Sequence, residues 1–349
     1  MKIGDFNFKN SKRTFIIAEI SANHNQDIEI AKNTILEIKK SGADCVKLQT
    51  YTPDTLTIKS DKEDFKIRGS IWNGKSLYKL YEEAFTPWEW HYELFNFSKD
   101  QGLICFSSPF DKSSVDFLEK LETPAFKIAS FEINDIQLIE YVASKGKPII
   151  LSTGVATQKD IELAIQTCRK VGNNQIILLK CTSSYPAPLD EVNLKMIQKY
   201  SKDFDVLTGL SDHTIGDICP IIAVSLGARI IEKHFILDRS LGGPDASFSM
   251  NPSEFSKMVK KIREVEGALG EIDYTLSKKQ KLSKQFSRSL YVTESIKKGE
   301  KFNDKNVRSI RPGFGLHPKH LKEIIGKTSS RDLEKGDRFN LEFIDKSKP

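Results

Sequence analysis

Residues 15–21 read Phe-Ile-Ile-Ala-Glu-Ile-Ser, an apolar run that turns polar only toward its far end. A strand buried on both faces has this pattern, because helices cover its outer face and other side chains fill the space behind its inner one. Similar runs follow at 44–50, 103–109, 125–130, 148–153, 175–182, 205–212 and 228–237, with charged stretches of helical period between most of them. Eight strand–helix units in succession predict an α/β fold, a closed (β/α)8 or TIM barrel. An open doubly wound sheet is the competing arrangement, but no glycine-rich dinucleotide turn follows the first run.

The chain has 349 residues, 39% hydrophobic and 29% charged. That is enough for a barrel of about 250 residues and a smaller module. The barrel is expected over 1–270, a charged linker over 271–287 and a small β-rich unit over 288–349, with strand signals at 289–293 and 307–311. Residues 51–87, which include Gly69, Trp72 and Gly74, form a segment long enough to cover a site.

Composition excludes several classes of function. The 53 Lys+Arg against 47 Asp+Glu leave a formal charge of +6, a mild excess on so large a surface that does not argue for nucleic acid. No apolar run reaches the roughly 18 to 20 residues of a membrane span, and residues 1–10 lack a signal-peptide core, so a cytoplasmic protein is expected. Cys45, Cys105, Cys168, Cys181 and Cys219 are odd in number and scattered, the usage of small buried hydrophobes in a reducing compartment.

Active sites of such barrels lie at the C-terminal ends of the strands, so polar residues late in each run are informative. Here nearly every run ends in them. Side chains two apart share a strand face, which groups Glu19 with Ser21, Lys47 with Gln49, Ser211 with His213 and Glu232 with His234. A lysine inside a barrel mouth needs an anion. One reading is an internal ion pair, Lys47 with Glu19. The other is a small, multiply charged ligand held by Lys47 and Lys127 with Ser108, Ser130, Ser152 and Ser211 as hydroxyl donors. His213 and His234, one strand–helix repeat apart, can reach one point and hold a divalent ion with positions left open, although a lone histidine at a strand end is more often structural. His24, in the first loop, is a further candidate for proximity to the site.

These residues carry a family likeness. Ala18-Glu19-Ile20 with Asn23-His24, Val46-Lys47-Leu48-Gln49-Thr50, Ser108-Pro109-Phe110, Phe126-Lys127-Ile128-Ala129-Ser130, Ser152-Thr153-Gly154, Cys181-Thr182-Ser183-Ser184-Tyr185-Pro186, Leu210-Ser211-Asp212-His213-Thr214, Ile231-Glu232-Lys233-His234-Phe235 and Gly243-Pro244-Asp245 resemble, in order, the motifs of the N-acetylneuraminate (sialic acid) synthase family. Arg311-Pro312-Gly313-Phe314-Gly315 resembles the antifreeze-like (SAF) domain that ends those enzymes. Within the family the chain is most similar to the pseudaminic acid branch, through Ser21-Ala22-Asn23-His24, Tyr51-Thr52-Pro53-Asp54-Thr55-Leu56-Thr57, Ser60-Asp61-Lys62-Glu63-Asp64-Phe65 and Phe314-Gly315-Leu316-His317-Pro318. Ala246 follows Asp245 where the sialic and legionaminic acid branches usually have His.

The resemblance implies a metal-dependent condensation of phosphoenolpyruvate with 2,4-diacetamido-2,4,6-trideoxy-L-altropyranose, giving pseudaminic acid and phosphate. It implies that His213 and His234 bind the divalent ion, manganese first with magnesium or cobalt as alternatives. Lys47, Ser108, Lys127, Ser130, Ser152 and Ser211 would hold phosphoenolpyruvate, with Ser183 standing where family members commonly place an Asn on the phosphate. Glu19, Gln49, Tyr185 and Asp245 would face the sugar, and Arg311 would reach in from the other subunit of a domain-swapped homodimer. Glu19 is the candidate for proton transfer or for orienting a water. Trp72, Phe110 or Phe314 would meet the sugar's methyl groups or simply pack. The alternatives are an N-acetylneuraminate or legionaminic acid synthase, or a non-catalytic sugar-binding barrel, which would be expected to have lost a histidine ligand or an anion lysine.

Overall fold

The computed structural model describes residues 1–347. A short hairpin, β1 (Lys2–Ile3) with β2 (Phe6–Asn7), precedes eight parallel strands that close on themselves. They are β3 (Phe15–Glu19), β4 (Cys45–Thr50), β5 (Ile104–Pro109), β6 (Phe126–Ile128), β7 (Ile149–Ser152), β8 (Ile176–Cys181), β9 (Leu207–Asp212) and β10 (Ile230–His234), with β10 pairing β3 to complete the barrel. Each strand falls inside the run that predicted it.

Parity along the strands divides the core in two. Ile16 and Ala18, Val46 and Leu48, and Leu178 point outward into apolar layers shared with the surrounding helices. Phe15 and Ile17, Cys45, Phe106, Ala125, Ile150, Ile177, Leu179 and Ile230 point inward and fill the lower barrel, which Ile3 and Phe8 close from below. The next inward positions up are Glu19, Lys47, Lys127, Ser152, Cys181, Ser211 and Glu232. The interior therefore changes from apolar to polar within one layer. Gly209 sits beneath Ser211 because a Cβ there would lie 2.3 Å from the Ile230 carbonyl oxygen.

The helices of this unit are α1 (Ile28–Lys40), α2 (Pro53–Leu56), α3 (Leu77–Ala84), α4 (Trp88–Asp100), α5 (Lys112–Lys120), α6 (Ile136–Ser144), α7 (Gln158–Lys170), α8 (Met196–Phe204), α9 (Ile218–Ser225) and α10 (Pro252–Leu269). Local sequence sets their starts. In α10, Asn251 and Glu254 form a reciprocal capping box, with Pro252 in the first turn, where its missing N–H costs nothing. Residues 51–87 are not a plain loop: they hold α2 and α3, and between them a turn closed by the Lys66–Ser76 bridge.

Contacts divide the chain into two compact units, 1–270 and 271 onward. In the second, α11 (Lys278–Ser283) lies in an exposed stretch, and β11 (Ser289–Val292) pairs antiparallel with β12 (Val307–Ile310). α12 (Leu321–Ile324) completes it around a core of its own that includes Leu290, Phe302, Val307 and Phe339.

Candidate active site

The C-terminal ends of the barrel strands, and the residues just after them, bring Glu19, Lys47, Gln49, Ser108, Lys127, Ser152, Ser211, His213 and His234 to one mouth. Lys47 and Lys127 are buried there. Lys47 pairs with Glu19, as one reading of the sequence expected, and donates to Ser108 Oγ at 3.3 Å. A second carboxylate joins them: Glu232 Oε1 lies 3.5 Å from Lys127 Nζ and 3.8 Å from Lys47 Nζ, and accepts from Ser211 Oγ at 2.9 Å. Sequence reasoning put Glu232 on the inner face but gave it no role. The signal was its parity with His234.

Charge and burial compete throughout this layer. Burial alone would raise the pKa of Glu232, yet Lys127 and Lys47 outweigh it and hold the carboxyl below its ordinary range. Burial raises Glu19, and the neighbouring Glu232 adds to the rise against the pull of Lys47. Lys127 is lowered by burial, with Glu232 opposing the loss. Burial also pulls down on Lys47, but Glu19 and Glu232 more than compensate. Two ammonium groups are thus kept in a dry pocket by two carboxylates, a costly arrangement that an incoming anion can take over.

The hydroxyls lie around this group. Ser130 Oγ accepts from the Gly154 amide at 3.1 Å, and Gly154 must lack a side chain because a Cβ would sit 2.0 Å from Ser183 Oγ. Ser183 therefore converges with Ser130 on one point. Ser152 Oγ, Glu132 Oε2 and Glu232 Oε2 are buried with no hydrogen-bond partner. Buried polar atoms are seldom left unpaired, so this concentration marks a place for a ligand. Glu132, two residues after Ser130, was missed by sequence reasoning; burial pushes its carboxyl up to about 7, with Lys127 opposing. It lies in a 3-10 turn after β6, where strand parity says nothing.

On the other side of the mouth, the rings of His213 and His234 stand with centroids 5.2 Å apart. His213 Nδ1 lies 3.1 Å from the Thr182 carbonyl oxygen, which only accepts, so Nδ1 carries a proton; burial lowers the ring's pKa, but Cys181 and this carbonyl more than offset it. His234 is held neutral by burial, reinforced by His213, and its Nδ1 is buried without a hydrogen bond, 3.7 Å from Asp245 Oδ2. Among the described residues no three His, Cys, Asp or Glu side chains form a complete metal cage. Two imidazoles this close, one of them with an orphaned nitrogen, nevertheless fit a divalent cation that keeps positions free for other ligands.

Neighbouring loops fix the remaining candidates. Gln49 Nε2 donates to Ser21 Oγ at 2.9 Å and Glu19 Oε1 at 3.3 Å. Asn23 donates to the Phe235 carbonyl and to Ser249 Oγ, and Ser249 in turn donates to the Asp245 carbonyl, which ties the Gly243-Pro244-Asp245 loop to the first strand. Burial raises the Asp245 pKa, with Ser21 and the Ala22 amide opposing. The Tyr185 ring stands 4.5 Å from that of His213. Phe110 packs on Tyr51. Arg311 is exposed in the second unit, where Phe314 lies against Arg338. His24 is not a site residue: its Nδ1 accepts from the Gln26 amide and its Nε2 meets Thr86 Oγ1 at 3.1 Å, and burial lowers its pKa to about 4.

The chain matches the NeuB family over residues 34–274 and the SAF domain over 287–338. It is 48% identical over 337 residues to the pseudaminic acid synthase of Campylobacter jejuni, covering 97% of this chain and 98% of that one. The pseudaminic acid synthase of Helicobacter pylori is 47% identical over 333 residues, 95% of this chain and 98% of its own. Among solved structures, the N-acetylneuraminic acid (sialic acid) synthetase of Leptospira borgpetersenii, crystallised with citrate, superimposes with a TM-score of 0.70 at 30% identity, covering 78% of this chain and 90% of that one. With relatives this similar over nearly their whole length, the chain belongs to the NeuB family.

Proposed function

We propose that the mouth condenses phosphoenolpyruvate with 2,4-diacetamido-2,4,6-trideoxy-L-altropyranose, giving pseudaminic acid and phosphate. The observation that carries this reading is the shared rim: two buried ammonium groups with unpaired hydroxyl and carboxyl atoms on one side, two facing imidazoles on the other. An enol ester that carries a phosphate and a carboxylate fits the first, and an aldehyde fits the second. Relatives at 47–48% identity named for this product support the choice of sugar.

The chemistry divides among the residues. C3 of phosphoenolpyruvate forms a bond to the aldehyde carbon, whose oxygen takes up a proton. Water adds at C2 and phosphate leaves by C–O cleavage. Lys47 and Lys127 offset the charge of the phosphate and carboxylate and hold the enol carbon toward the imidazoles, while Ser108, Ser130, Ser152, Ser183 and Ser211 offer hydroxyls to the anion oxygens. Glu19, its carboxyl raised by burial, carries the proton for the new hydroxyl. Gln49, Tyr185 and Asp245 orient the sugar. A divalent cation on His213 and His234, manganese first among candidates, would supply Lewis-acid polarisation of the carbonyl.

Arg311 is assigned to the acceptor of a neighbouring subunit in a domain-swapped homodimer, with 1–270 as the synthase barrel, 271–287 as the linker and 288–349 as the swapped domain. Ile272, Tyr274, Leu282 and Phe286 in the linker are largely or wholly exposed in the single chain, an apolar surface that a second copy would cover. Five free, buried cysteines fit a reducing cytoplasm, and among the described residues no helix is long and apolar enough to cross a membrane.

The test is incubation with phosphoenolpyruvate, manganese and, separately, N-acetylmannosamine, the legionaminic acid precursor and the diacetamido-trideoxy-altrose. Phosphate release with the last sugar, and a product of the mass of pseudaminic acid, is expected. Release only with one of the other two assigns a different acid synthase, and no consumption of phosphoenolpyruvate overturns the condensation.

A further inference from the structure

Between α2 and α3 the chain folds back on itself, with the Ile67 amide donating to the Lys75 carbonyl at 2.9 Å and the Gly74 amide to the Ile67 carbonyl at 3.1 Å. At the end of this turn Ile71, Asn73 and Gly74 are exposed, but Trp72 between them is half-buried. Its indole Nε1 donates to the Pro244 carbonyl at 2.9 Å, next to Asp245. Its ring stands 5.5 Å from that of Tyr185, and Tyr185 stands 4.5 Å from His213 and 5.3 Å from Phe248. An aromatic wall thus runs outward from the imidazole pair and ends at Trp72.

We propose that Trp72 is a specificity-determining residue that selects an acceptor sugar with a methyl group, and not a hydroxymethyl group, at C6; this rests on the function proposed above. Two physical arguments support it. The first is chemistry. An indole has one donor and no acceptor, and here that donor is spent on Pro244, so the exposed ring face offers a sugar nothing but apolar surface. A hydroxymethyl group placed on it loses water and gains no hydrogen bond, while a methyl group loses nothing. The second is reach. With the aldehyde at the imidazoles, an open six-carbon chain extends about 6 Å. Laid along the wall, whose ring-to-ring steps are 4.5 and 5.5 Å, such a chain puts its far end beyond Tyr185.

Two acceptors that differ only at C6, the 2,4-diacetamido-2,4,6-trideoxy sugar and its 6-hydroxy counterpart, separate the possibilities by phosphate release. The wild-type chain should prefer the deoxy sugar by about tenfold or more in kcat/KM, the discrimination available to one methyl-sized difference. Trp72→Phe keeps the apolar face but not the donor, and should keep that ratio. Trp72→Gln keeps a donor for Pro244 but not the face, and should bring the ratio within about threefold of unity with KM for phosphoenolpyruvate little changed. The opposite pattern, Trp72→Phe losing the ratio and Trp72→Gln keeping it, makes Trp72 a latch and overturns the proposal. So does an equal loss on both sugars, or a wild type with no preference. Absence of wild-type turnover with either sugar sinks the functional reading itself, an outcome distinct from turnover without selection.

Discussion

The Lys127 ammonium stands 3.5 Å from the Glu232 carboxylate at the centre of the barrel mouth, both almost wholly buried. With Lys47 and Glu19 beside it, this pair keeps two cations ready for an anion, and removing one of them separates substrate binding from bracing of the barrel. Lys127→Met keeps length and volume and removes the charge. If Lys127 serves the anion, KM for phosphoenolpyruvate should rise roughly 30- to 150-fold, the equivalent of about 2 to 3 kcal/mol for a charge-assisted contact. Titration calorimetry with phosphoenolpyruvate checks the same number without turnover. Unchanged affinity would mean that the lysine serves only Glu232.

The imidazole pair makes a separate prediction. His213→Ala or His234→Ala should abolish turnover and lower bound manganese, measured by elemental analysis after dialysis, from about one per chain to almost none. The melting midpoint of the apo protein should move little, because neither ring belongs to the apolar clusters that fill the barrel and its helix layers. Full activity after exhaustive chelation would rule out the metal role.

The barrel was readable because each buried strand is a continuous apolar run, and the inner face because parity cannot slip within a closed sheet. Lys47, Lys127, Ser211 and His234 follow from that rule alone. Off the strands that rule is silent, and Ser183, Tyr185 and Asp245 came from the family likeness instead. Glu132 occupies a turn with no periodicity, and the half-buried Trp72 owes its position to a hydrogen bond spanning 172 residues. Closeness in sequence to β3 makes His24 a candidate, but both its ring nitrogens are taken, by the Gln26 amide and Thr86 Oγ1.

Glu132 gives the mouth a pH dependence of known sign. With its carboxyl pushed up to about 7, it is neutral below that pH and an anion above it, close enough to Lys127 to compete with a phosphate for that lysine. KM for phosphoenolpyruvate should therefore rise as pH increases through 7. Glu132→Gln should flatten that rise. Stability should follow the same titration: a raised folded-state pKa stabilises fully below the unfolded value near 4.5, and that contribution is lost as pH rises through about 7. Glu132→Gln should gain melting temperature over wild type at pH 8 and little at pH 4. A KM that keeps its pH dependence in the variant removes Glu132 as its source.

On the outer wall, Lys233 donates to Asp212 Oδ2 at 2.5 Å and to the Thr214 carbonyl, while the Thr214 amide and hydroxyl both donate to Asp212 at 3.1 Å. Lys233→Met should lower unfolding free energy by about 3 to 5 kcal/mol in urea, because it leaves the buried Asp212 carboxylate without a counter-charge. Adding Asp212→Asn should recover part of the loss. If the two changes simply add, the ion pair is not the source of the stability.

Arg311 can be assigned to its own barrel or to a neighbour's by mixing chains. Truncation before Arg288 should leave a folded barrel, since residues 1–270 enclose their own apolar cores, but with much reduced turnover. Arg311→Ala in the full chain should lose activity in the same direction, which separates the missing guanidinium from the missing domain. The decisive measurement mixes Arg311→Ala with His213→Ala after unfolding and refolding together. In a swapped dimer, the intact barrel of the first chain receives the intact arginine of the second. Random pairing then restores about a quarter of the wild-type sites. If each arginine serves its own barrel, no pairing assembles a complete site and the mixture stays inactive.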